Sequence, residues 1–71
     1  MRYNYSKLLG RIVEKGFTKE SFAKQLSMNR TTLFKKLNSD SEFTQCEIMK
    51  AIDVLDINPF DISIYFFTPD V

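Results

Sequence analysis

Histidine is missing from this 71-residue chain, and cysteine occurs once, as Cys46. Without an imidazole, and with a single thiol, the usual nucleophile–base pairs and transition-metal sites have no parts to be built from. No Gly-rich phosphate loop or nucleotide fingerprint accompanies the carboxylates that remain. The chain is therefore expected not to be an enzyme, to hold no cofactor or metal, and to have no small-molecule substrate. A lone cysteine cannot form an internal disulfide, which fits a reducing cytoplasm; Cys46 lies outside any motif and is expected to be a small packing residue. No apolar run is long enough to span a membrane, and the start of the chain lacks the apolar stretch and cleavage site of a secretory signal. With only two glycines and two prolines the composition is that of an ordinary soluble globular protein, and a single cytoplasmic domain over residues 1–71 is expected.

What is present is unevenly distributed. The formal charge of +1 conceals two opposed halves. Residues 1–38 hold nine basic residues against Glu14 and Glu20, a balance of +7, while residues 39–71 hold Lys50 against seven acids, a balance of −6. That split points to an anionic partner for the first half, or to two solvated faces that attract each other.

Hydrophobic spacing predicts five helices and no strands. Tyr5, Leu8, Leu9, Ile12 and Val13 mark one apolar face over residues 5–15, with Asn4 as a start signal and Gly16 as a left-handed stop. Gly10, costly inside a helix, is expected to mark a close helix–helix approach. Thr18 caps a second helix over 18–26, with Phe22 and Leu26 inward and Glu20 in its first turn. Ser27-Met28 makes the turn, and Asn29 caps a third helix over 29–37 whose buried side is Leu33 and Leu37. Phe34 falls on or beside the apolar edge, and Arg30, Thr31, Lys35 and, depending on rotation, Lys36 point outward. Phe43 in the following loop is expected to plug the core. Thr44 and Glu47 form a capping box for a helix over 44–55 that buries Ile48, Met49, Ile52 and Leu55. Asn58-Pro59 opens a last helix over 59–65. The tail over 64–71 is unusually apolar for a chain end. Its Tyr65, Phe66 and Phe67 either fold back over the first and fourth helices or form a surface for another subunit.

The stretch from Thr18 to Asn38, TKESFAKQLSMNRTTLFKKLN, resembles the helix-turn-helix of the Cro and phage-repressor (Xre-like) family. The matching positions are Thr18, Phe22, Ala23, Leu26, the Ser27–Asn29 turn and Leu33. The opening YSKLLGRIVEKG and the downstream EFTQCEIMKAIDVLDINPFDISIYFFTP are similar to small Cro-like or modulator-of-repression early proteins of temperate phages of Gram-positive bacteria. The resemblance implies an all-α, five-helix lambda-repressor-like fold with helix three as the recognition helix. By position, Asn29, Arg30, Thr31 and Lys35 match residues that face the major groove, where Arg and Lys suit guanine and the Thr methyl suits thymine. Lys19, Thr32 and Lys36 match phosphate-contacting positions. Three positions depart from the family pattern: Lys19 stands where Gln is usual, Ser27 where Gly is usual, and Lys36 where an apolar residue is common. The third leaves open whether Lys35 or Lys36 enters the groove. Two functions follow from the resemblance. One is a Cro-like regulator of a lysogeny–lysis switch that binds double-stranded operator DNA, as a homodimer or with the phage repressor. The other is a modulator that complexes the phage's own repressor and binds DNA weakly alone.

Overall fold

The first four helices all stop in the same way, and those stops set the path of the chain. In a computed structural model describing residues 2–70, α1 is Ser6–Glu14, α2 Lys19–Gln25, α3 Arg30–Leu37 and α4 Gln45–Val54. The residue after each C-cap is left-handed: Gly16 at φ +83°, Ser27 at +58°, Ser39 at +62° and Asp56 at +55°. The next amide then reaches back five residues: Phe17 to the Ile12 carbonyl, Met28 to Ala23, Asp40 to Lys35 and Ile57 to Ile52, each at 2.9–3.0 Å. This closure satisfies otherwise orphaned carbonyls. Only one of the four sites uses glycine; at the other three a side chain carries a strain of about 1 kcal/mol.

Helix starts follow the sequence closely. The Ser6 amide donates to Asn4 Oδ1 at 2.8 Å, and the Thr32 amide to Asn29 Oδ1 at 2.7 Å. Thr44 and Glu47 exchange hydrogen bonds at 2.9 and 3.1 Å. Thr18 makes the same exchange with Ser21 at 2.9 and 3.0 Å. Asn58 Oδ1 accepts from the Phe60 amide and Pro59 opens a 3₁₀ turn, Pro59–Asp61, that leads into α5, Ile62–Phe66. The expected 59–65 helix is thus two pieces. Elsewhere the difference from expectation is the inclusion of caps.

Among the described residues the arrangement is all-α, with five helices. Helix α1 lies on α5, α2 on α3 and α4, and α4 on α5. The buried core runs through every layer: Leu8, Ile12, Phe22, Leu26, Leu33, Ile52, Leu55 and Phe66 among its largest members. Where spacing overestimated the apolar stripe, the outer residue faces water: Val13 is 73% and Met49 56% exposed. Both sit one position beyond a fully inward residue, about 100° around the helix. Cys46 is exposed and not a packing residue. Gly10 is exposed too, and nothing lies within 4 Å of where its Cβ would stand, so it marks no close approach.

The tail is tied down by backbone pairing. The Asn4 amide donates to the Thr68 carbonyl at 2.7 Å and the Asp70 amide to the Arg2 carbonyl at 3.1 Å. Tyr3 and Pro69 therefore stand opposite each other in an antiparallel bridge. Val71, the last residue of the apolar tail, lies outside the described residues. This pairing turns Phe66 into the core at 1% exposure while Phe67 stays 48% exposed and Tyr65 is half-buried. Phe66 is accordingly not available as an interface residue. The large apolar residues exposed at this end are Phe60, Ile64 and Phe67.

Candidate functional site

Helix α3 is capped by Asn29, whose side-chain oxygen accepts from the Thr32 amide; its side-chain nitrogen makes no hydrogen bond among the described residues. Arg30, Thr31 and Lys35 are exposed on the same helix, and Lys19 is exposed at the start of α2. Thr32 is half-buried beneath them. Of the seven residues proposed for groove or phosphate contact, five are thus exposed, Lys19, Asn29, Arg30, Thr31 and Lys35, and no acid interrupts α3.

Lys36 is different. It is 6% exposed, with its ammonium donating to the Glu42 carbonyl at 2.7 Å and paired with Glu47 at 2.9 Å. Its expected phosphate contact is therefore ruled out by burial. The position common for an apolar residue still points inward; here the lysine stem fills it and the charged end is satisfied at the loop after α3. The rotation of α3 follows: Leu33 and Lys36 face in, and Lys35 faces out. Burial alone would raise the Glu47 carboxyl, but the Thr44 amide and the Lys36 ammonium outweigh it and hold it below the usual range.

Part of the charge asymmetry is spent internally. Lys36–Glu47 joins the basic half to the acidic half, as does a looser pair between Lys15 and Asp56 at 3.7 Å. Arg11 reaches across as well, donating to the Leu55 and Asp56 carbonyls at 2.9 Å each. Lys19, Arg30 and Lys35 take part in no ion pair among the described residues.

The centre of the outward surface is a residue that spacing placed only at an apolar edge. Phe34 is 37% exposed, and two cations lie over its ring, the Lys19 ammonium at 5.4 Å and the Arg30 guanidinium at 5.5 Å from the centroid. Each contact is worth about 0.5–1 kcal/mol at an exposed site. Phe34, Leu9 and Leu37 line a shallow groove beside Lys19. The signal for this was present in the sequence: Phe34 follows Arg30 by one helical turn, and Leu33 already occupies the inward direction. Among the described residues no group of His, Cys, Asp and Glu could hold a metal ion, and no helix is long and apolar enough to cross a membrane.

Comparison with solved structures places this arrangement beside a phage regulator. The solution structure of the modulator of repression (MOR) of the temperate bacteriophage TP901-1 from Lactococcus lactis is similar at 45% sequence identity, covering 94% of this chain and 90% of that one, with a TM-score of 0.80. Among curated proteins none matches. A family model described as a protein of unknown function, DUF739, matches residues 1–69. With nearly its whole length matched, the chain belongs to the DUF739 family.

Proposed function

We propose that this chain is a non-enzymatic regulator of a temperate-phage lysogeny–lysis switch, acting in the bacterial cytoplasm by complexing the phage's own repressor. The similarity to MOR supports the setting. The single observation that carries protein contact is Phe34, an exposed ring at the middle of the basic α3 surface with Lys19 and Arg30 held over it. Aromatic and arginine side chains in a shallow apolar groove are the residues that dominate protein interfaces. A phenyl ring has no hydrogen bond to offer a phosphate or a base edge.

The test is calorimetric titration of the chain with the co-encoded repressor. Phe34→Ala is expected to weaken the complex by about 30-fold, the loss of one hot-spot residue, with an unchanged helical spectrum. A full-strength complex formed by Phe34→Ala sinks the reading.

A second reading, operator binding, draws on the exposed Arg30, Thr31 and Lys35 beside the Asn29 cap, with Lys19 and Thr32 toward the backbone. Gel shifts on the native promoter, with and without the repressor, separate the two. A shift by this chain alone, weakening steeply with salt, favours operator binding. A change only when the repressor is present favours the complex.

A further inference from the structure

A cleft of about 300 Å³ opens where the joined chain ends meet the loop after α3. It shares no lining residue with the groove beside Phe34. Tyr3, Tyr5, Phe43 and Phe67 form aromatic walls, and Asp40 and Glu42 line it as exposed carboxylates. Tyr3 meets Phe67 edge-on at 5.8 Å between centroids, and Tyr5 meets Phe43 at 5.5 Å.

Three observations say what such a cleft would hold. First, Tyr5 is 7% exposed, yet its hydroxyl bonds to no described residue and is not a sealed, orphaned atom. Tyr5 lines the cleft, so a phenol with unused hydrogen-bonding capacity borders it. Second, the surroundings are negative. Burial, Tyr3 and then Glu42 all push the Tyr5 hydroxyl above its ordinary range, and no basic residue lines the cleft. The nearby Lys36 ammonium is already paired with Glu47. Third, this aromatic cluster already receives one cation, since that same ammonium lies 5.8 Å from the Phe43 ring centroid.

Carboxylates and a phenol oxygen accept hydrogen bonds, and ring faces attract positive charge. A planar, donor-rich cation meets both demands, and a guanidinium forks onto a carboxylate where an ammonium acts as a point charge. The volume is at the low end for small-molecule sites, which run from about 300 to 1,000 Å³, and it is ample for one side chain.

We propose that this cleft is a receptor for an arginine side chain presented by a protein partner. The partner clause rests on the reading that the chain works through protein contact, while the cleft itself is tested without any partner.

The experiment is an NMR titration of the full chain with N-acetylarginine methylamide. Matched arms use the lysine and citrulline derivatives and putrescine. Saturable shifts are expected in the ring signals of Tyr3, Tyr5, Phe43 and Phe67, with citrulline binding at least about 10-fold more weakly because it lacks the charge. The double variant Asp40→Asn, Glu42→Gln is expected to lose the saturation while keeping its thermal midpoint, and Tyr5→Phe to weaken binding about 3- to 10-fold. The proposal is overturned by shifts that do not saturate, by wild-type binding in the double variant, or by tighter binding of lysine or putrescine than of arginine. In repressor titrations, a weaker complex with the double variant supports the partner clause; an unchanged complex overturns that clause. Phe34→Ala is expected to leave the arginine titration untouched, so failure at the α3 surface is read separately.

Discussion

On the α3 surface, Phe34 holds two cations over its ring, and all three side chains remain in contact with water. At the joined chain ends Phe43 also holds a cation, Lys36, but there the ammonium is buried and paired with Glu47. The chemistry of each contact is the same. The difference is what else surrounds it: tyrosine and phenylalanine edges, a carboxylate and a loop carbonyl at one end, open solvent at the other. A cation committed on every side belongs to the fold, whereas one held only by an exposed ring can be given to a partner at small cost.

Substitutions can break that comparison. The largest expected effect is at Phe66, sealed in the core at 1% exposure. Phe66→Ala should lower stability by about 3–5 kcal/mol in urea denaturation, against about 1–2 kcal/mol for Phe34→Ala, which gives up two exposed cation–π contacts and a partly exposed ring. Equal losses would mean that the α3 surface is packed like the core. Next come the adjacent lysines. Lys36→Ala removes the partner of Glu47 and the donor to the Glu42 carbonyl, and is expected to cost about 2–3 kcal/mol near neutral pH. Lys35→Ala should stay within about 0.5 kcal/mol, as for an unpaired surface residue.

A smaller effect concerns acid. The Glu47 carboxyl is lower in the folded than in the unfolded chain, so its contribution is complete above the ordinary carboxylate range and disappears as pH falls through the folded value. Glu47→Gln should therefore be less stable than the parent near neutral pH, and the two thermal midpoints should converge on acidification below about pH 4. A gap that persists in acid assigns the loss to packing and not to charge. Smallest is Ser27→Gly: with Ser27 at φ +58°, relief of the left-handed strain should raise stability by about 0.5–1 kcal/mol. No gain there would show that the turn is held by other contacts.

Local signals were legible wherever a residue acts on its neighbours within one turn. Asn4, Thr18, Asn29, Thr44 and Asn58 all accept the amides that their positions suggested, and Gly16 is left-handed. The outward placement of Arg30, Thr31 and Lys35 was legible too. The stops at Ser39 and Asp56 were not, because nothing in their residue type requires a left-handed backbone. Periodicity gives the direction of an apolar stripe and not its width, so it places Val13 and Met49 inside although both face water. For the same reason spacing leaves Phe34 at the apolar edge, whereas its ring carries the two cations of the α3 surface.

By itself, then, the sequence determined the number and order of helices, their caps, and the basic character of the first half, since each depends on chemistry within a few residues of the chain. It could not choose between Lys35 and Lys36, or between Phe66 and Phe67. Those choices turn on a rotation of about 100° or on a two-residue backbone pairing. Only the tertiary structure supplied the partners, Glu42 and Glu47 for Lys36 and Arg2–Asn4 for the tail. A buried charge goes where its counter-charge and carbonyl wait, and an aromatic at a chain end turns inward when the opposite end holds it there.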